Sequence, residues 1–192
     1  MCLLIAGLVI FFGAHSIAMI APRLRDSWRV KIGEGPWKGL YSLISLAGFV
    51  LICWGFSHAR HAPTVLYTSP AWLRYVTAVL MLPVFPLLFA SMLPGRIRTA
   101  MKHPLLAGVK FWALAHLLAN GMLADVLLFG SFLAWAVVDR ISFKRRPPQN
   151  IRTAPERPWN DAAAVILGLA VYALFIFWAH QWLFGVTPLR FR

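Results

Sequence analysis

Six apolar runs decide what this chain can become: Cys2–Ala21, Leu40–Phe56, Ala71–Leu93, Pro104–Ala119, Met122–Val138 and Ala162–Phe184. A helix that spans a bilayer needs ~20 apolar residues, within a range of about 17 to 25. By that measure three runs are comfortable, two are marginal and Pro104–Ala119 is short. Only 13% of the 192 residues are charged, too few to cover the surface of a soluble domain of this length. The expected fold is all-α: a polytopic transmembrane bundle of about six helices, one domain over residues 1–192, with the lipid bilayer as its surroundings. The first run does not read as a cleaved signal peptide, since no Lys or Arg precedes it and no clean small-x-small site follows. Cys2 and Cys53 offer neither a disulfide framework nor a CxxC metal pair.

Net charge is +13, and its placement gives the orientation. Thirteen Lys and Arg side chains fall in the segments 23–36, 94–103 and 139–161 that follow the first, third and fifth runs, against three (Arg60, Arg190 and Arg192) in the opposite loop and tail. The positive-inside rule then predicts N-out and C-out, with three basic loops in the cytoplasm. That rule accounts for the charge, so no nucleic-acid partner is expected.

Several breaks punctuate the runs. The first ends at Ala21-Pro22 and leads into a basic loop, Arg23–Pro36. Trp37, Trp72, Trp159 and Trp182 stand at run ends, as an aromatic belt requires. Pro83 and Pro86 remove helical hydrogen bonds and predict a kink in the third run, which Pro94-Gly95 then stops. Residues 139–161 read as a basic, Pro-rich cytoplasmic loop holding Pro147, Pro148, Pro155 and Pro158. Trp159-Asn160-Asp161 reads as an N-cap for the last helix.

The stretch from His103 to Val138 reads as two apolar helices folded back at Ala119-Asn120-Gly121, with His103, Lys110, His116, Asn120 and Asp125 inside it. Polar groups at such positions are costly unless satisfied and are candidate functional groups. His103 and Lys110, seven apart, share a helix face. His116 lies ~220° round from His103, so those two do not form one metal site. His116 and Asn120, four apart, share a face. Folding about Asn120 sets His116 opposite Asp125, whose carboxylate could take one imidazole proton and leave the other nitrogen as a ligand. A structural hydrogen bond between helices is the alternative.

His15 lies ~9 Å and His116 ~20 Å below the cytoplasmic boundary at 1.5 Å per residue, so they share a ligand only if its axis is tilted. For His15 the alternative is a hydrogen bond to a carbonyl or to Ser42 or Ser45. Lys110, ~10 Å in, either snorkels to the headgroups or pairs with an anionic ligand group such as a propionate or phosphate. His58, His61, His180 and Gln181 read as interfacial residues.

The blocks Lys102-His103-Pro104-Leu105-Leu106-Ala107-Gly108, Trp112-Ala113-Leu114-Ala115-His116-Leu117-Leu118-Ala119-Asn120-Gly121, Gly13-Ala14-His15-Ser16 and Leu127-Leu128-Phe129-Gly130-Ser131-Phe132 resemble the NnrU family of membrane proteins over nearly the whole chain. The resemblance implies a small multi-helix protein of the bacterial inner membrane, linked to nitrite and nitric-oxide reduction in denitrification. The family is related to zeta-carotene isomerase, an enzyme with a b-type haem held by two histidines. By motif position this implies haem b with His15 and His116 as the axial, metal-ligating pair and His103 as a third family histidine. Asp125 would then orient His116, while Lys110, Arg23 and Arg25 would neutralise propionates. Whether the chain is an enzyme stays open.

Two other readings stand beside this one. Respiratory or denitrification membrane proteins are the partners if the chain is a non-catalytic factor that assembles a reductase, its polar residues serving as interhelical contacts. Lys102-His103-Pro104 and Gly108 also resemble the Arg-His-Pro…Gly motif of isoprenylcysteine-type methyltransferases, which use S-adenosylmethionine. Against that, no Asp or Glu follows Asp161, where those enzymes carry an acidic motif.

Overall fold

The computed structural model describes residues 1–146 and 153–189; the expectations placed on Pro147, Pro148, Arg152, Arg190 and Arg192 lie outside them. The fold is helical, in chain order α1 (Cys2–Ile20), α2 (Pro22–Ile32), α3 (Glu34–Ala59), α4 (Leu73–Met81), α5 (Val84–Met92), α6 (Arg96–Met101), α7 (Pro104–Ala119), α8 (Leu123–Ser142) and α9 (Asn160–Leu174). A π-helical turn, Phe175–Ala179, joins α9 to α10 (His180–Phe184).

Four stretches are long and apolar enough to cross a membrane: Cys2–Ile20, Glu34–Ala59, Leu73–Met92 and Asn160–Phe184. The other two apolar runs form α7 and α8. With 16 residues, α7 is ~24 Å long, less than the ~30 Å hydrocarbon core. α8 is long enough but carries Asp125 in its first turn and Asp139 and Arg140 in its last. The surface is inverted relative to a soluble protein: Val9, Leu43 and Ile166 are 67%, 66% and 67% exposed, while Asp125, Asp139 and Asn160 are buried. Apolar surface on this scale needs a lipid or protein cover.

Close helix pairing comes from small residues. A Cβ on Gly7 would stand 2.6 Å from the Ile52 amide nitrogen, and one on Gly48 would stand 2.7 Å from that of Phe11. Gly55 lies equally tight against Leu4. α1 and α3 therefore touch backbone to backbone, the contact by which helices associate where burial from water supplies no drive. Around this seam Leu4, Leu8, Ile52, Ala113, Ala124, Leu128 and Phe129 form the core.

Two expectations about connections change and one holds. The basic loop after the first run is instead helical over Pro22–Ile32, because Pro22 at its first position presets a helical φ. The third run breaks at Leu82-Pro83, as its prolines predict, while Pro86 falls in the first turn of α5, where amides lack helical partners anyway. α8 continues through Asp139 to Ser142, so the linker starts later than 139.

Asn160 and Asp161 do not cap their own helix. Asp161 accepts from the amides of Arg96 (2.8 Å) and Ile97 (3.1 Å), closing the start of α6. The Asn160 amide donates to the carbonyls of Pro94 (2.7 Å) and Pro155 (3.0 Å). Orphan backbone groups on a neighbouring turn outcompete the local cap.

Candidate functional site

Each of the two candidate histidines sits one helical turn after an aromatic residue. In α1 the pair is Phe11 and His15; in α7 it is Trp112 and His116. His15 Nδ1 lies 2.8 Å from the Phe11 carbonyl oxygen, and His116 Nδ1 lies 2.8 Å from that of Trp112. A carbonyl only accepts, so Nδ1 carries a proton in both rings and donates it to the helix backbone. Among the described residues no hydrogen bond reaches either Nε2.

Aromatic neighbours hold each ring. His15 stacks on Phe11 at 4.0 Å and 23°, with Tyr41 at 5.4 Å and Trp135 at 6.0 Å. His116 stacks on the buried Phe129 at 4.6 Å and 23°, with Trp112 at 5.5 Å. The two histidines are not in contact. A run of ring contacts leads from one to the other through Phe11, Phe132 and Trp112, with centroids 5.6 Å and then 5.3 Å apart. Both histidines lean on α8, at Trp135 and Phe129. Those positions are six residues, ~9 Å, apart along the helix axis, close to the ~11 Å offset in depth expected from the sequence.

Asp125 is placed differently from the expectation. Its carboxylate accepts from the Met122 amide at 3.1 Å and closes a capping box at the start of α8, while the nitrogen it was to hold on His116 is bonded to Trp112. The reason lies in the turn. Asn120 and Met122 are extended and α8 begins only at Leu123, so the level of His116 meets Phe129 rather than Asp125. Asn120 does share the face of His116, and its amide donates to the His116 carbonyl at 2.9 Å.

The segment between α3 and α4 pins this turn. Leu66 donates to the Gly121 carbonyl at 2.8 Å and Leu123 donates to that of Thr64 at 2.8 Å, giving a single antiparallel bridge between Val65 and Met122. The Tyr67 hydroxyl reaches the carbonyls of Leu117 and Asn120, and Ser69 donates to Leu118 at 2.7 Å. The carbonyls that α7 leaves unpaired at its end are thus answered by side chains.

Lys110 is half-buried and has no carboxylate partner among the described residues. Arg25 is held by Asp26 at 2.8 Å. His15 meets a carbonyl of its own helix rather than Ser42 or Ser45. His180 donates from Nδ1 to the Val186 carbonyl at 2.7 Å, and Thr187 donates to Gln181 at 2.6 Å, which settles the C-terminal turn. His58 and His61 face each other at 6.3 Å.

His103 belongs to a separate cluster at the basic end. It precedes α7 and stacks on Phe143 at 4.1 Å, and the Arg146 guanidinium lies 4.2 Å from the centroid of the same Phe143 ring. Arg146 also pairs with the buried Asp139. Partial burial and then the positive charge of Arg140 hold the His103 imidazole below its ordinary range, with Asp139 opposing. Sequence reasoning missed this cluster and the aromatic shells. An aromatic residue four positions before each of His15 and His116 was the available signal.

The NnrU protein family matches residues 3–188 of the chain. No curated protein and no solved structure matches it. With nearly its whole length covered by that match, the chain belongs to the NnrU family.

Proposed function

We propose that this protein is an integral protein of the bacterial inner membrane that binds a b-type haem through His15 and His116 and takes part in nitrite and nitric-oxide reduction. In this reading six helices cross the bilayer, α7 and α8 among them, with N-out and C-out orientation and the basic loops in the cytoplasm. The observation that carries it is the matched posture of the two imidazoles, each fixed at Nδ1 and each without a hydrogen bond at Nε2. That is the form in which histidine ligates a metal.

The donor chemistry fits haem iron, but the space between the donors does not yet fit a macrocycle. Phe132 and Trp112 lie on the ring path between the histidines. Two cavities, of about 200 and 100 Å³, are lined by neither His15 nor His116. Both fall below the ~300–1,000 Å³ of sites that enclose a small molecule. Loading therefore requires those rings to move. When bound, haem supplies one-electron chemistry or, if a ligand detaches, a coordination site for nitric oxide. The protein's own contribution is to hold both imidazoles by Nδ1 and to keep Lys110 without a carboxylate, able to meet an anionic group.

The test is the absorbance spectrum of the purified protein after haem supplementation. A Soret band is expected in the native protein and its loss is expected in the His15→Ala, His116→Ala double variant. A colourless protein would overturn the haem reading. It would favour the second one, a non-catalytic factor that assembles or stabilises a respiratory reductase, for which the rings filling the space between the histidines are the supporting observation. The double variant would then keep its function as long as it still inserts.

A further inference from the structure

α2 packs against both α1 and α3 and leaves a cavity of about 200 Å³ beneath it, lined in part by Ala14, Ile17, Leu24, Trp28, Tyr41 and Ile44. On a helix of 3.6 residues per turn, Leu24, Trp28 and Lys31 share one face. The lower part of that face is apolar and looks into the cavity, while its last member is a cation. The Lys31 ammonium stands 5.5 Å from the centroid of Trp28, which forms the cavity wall. Among the described residues Lys31 has no carboxylate partner, and neither has Arg23. Asp26 and Glu34 pair instead with Arg25, Arg29 and Lys38. The mouth of an apolar slot therefore carries uncompensated positive charge.

An apolar cavity of this size does not hold water well, and at ~200 Å³ it is too small for a compact drug-sized ligand. A slim alkyl chain suits it. Amphipathic helices with basic polar faces lie at the membrane interface, and basic residues there attract anionic lipid. We propose that this cavity is a specific site for one acyl chain of an anionic phospholipid, whose phosphate is held at the mouth by Lys31. The occupant is anionic because Lys31, a cation without a carboxylate partner among the described residues, stands against the Trp28 wall of the cavity. It is a bilayer lipid because the slot continues into exposed apolar surface at Leu40 and Ile44, 43% and 40% exposed. Tyr41 is shared between this cavity and the His15 surround, so the lipid tail would lie against the wall that packs on His15. The inference needs the chain to sit in a bilayer but does not need haem.

Native mass spectrometry of the full chain in detergent, titrated with dioleoyl phosphatidylglycerol or dioleoyl phosphatidylcholine, tests it. One phosphatidylglycerol should bind at least tenfold more tightly than the first phosphatidylcholine. Changing Lys31→Gln should bring the first down to the level of the second, and Ile44→Trp, which fills the cavity, should remove the tight adduct. As a check that does not depend on folding of Ile44→Trp, phosphatidylglycerol with brominated acyl chains should quench the native fluorescence more than that of Trp28→Phe. Equal binding of the two lipids, or quenching unchanged by Trp28→Phe, overturns the proposal.

Discussion

His15 and His116 have the same local posture and different surroundings. Within its own helix each ring does the same thing: Nδ1 donates to the carbonyl one turn back, at 2.8 Å in both cases. Beyond the helix they diverge. The stacking partner of His116, Phe129, comes from a neighbouring helix and is 6% exposed. His15 stacks on Phe11 of its own helix and looks toward Tyr41, at the wall of the cavity under α2. A posture set within one helix survives loss of tertiary neighbours, whereas one set across helices does not.

Removing the stacking ring on each side is the most forceful way to break that comparison. Phe129→Ala should destabilise the protein by roughly 2 kcal/mol, below the ~3–5 kcal/mol of soluble cores because lipid rather than water is the alternative surrounding. Phe11→Ala, half-buried, should cost less than half as much. Thermal unfolding in detergent checks the ranking, and an equal or reversed order contradicts it.

Two hydrogen bonds give a smaller contrast. Trp135 donates to the buried Ser16 hydroxyl at 3.1 Å, so Trp135→Phe should cost ~1–2 kcal/mol by stranding a polar group. Tyr67→Phe removes a largely exposed donor from the carbonyls of Leu117 and Asn120 and should cost ~1 kcal/mol or less, because water can replace it. Denaturant or thermal midpoints of the two variants should rank in that order.

How far the sequence carries this picture depends on which interactions are local. The helical hairpin, its turn at Asn120, the break at Pro83 and the shared face of His116 and Asn120 all follow from residue type and spacing. The Asp125 assignment failed because it assumed that α8 starts straight after the turn, while Asn120 to Met122 run extended and shift the pairing by a full helical turn. Asp161 was misread for a related reason, since the amides it caps belong to α6, far away in sequence. The α1–α3 contact at Gly7, Gly48 and Gly55 also needed the third dimension, because no single run reveals which glycines face each other.

The smallest expected effect is a pH dependence at the basic end. The folded protein holds His103 below the ordinary histidine value of 6.5. The unfolded chain therefore binds the proton first as pH falls, so the contribution of His103 is fully present above about 6.5 and is lost as pH drops below it toward the folded value. Unfolding midpoints should decline slightly from pH 7.5 to 5, and His103→Phe should flatten that part of the profile. An unchanged slope in the variant removes His103 as its source.

The claim that the two imidazoles act as one ligand pair is tested most directly by the spin state of haem-loaded protein. Electron paramagnetic resonance should give a low-spin signal in the native protein, and His15→Ala and His116→Ala should each convert it to high spin. A low-spin signal that persists unchanged in either single variant would contradict the pair.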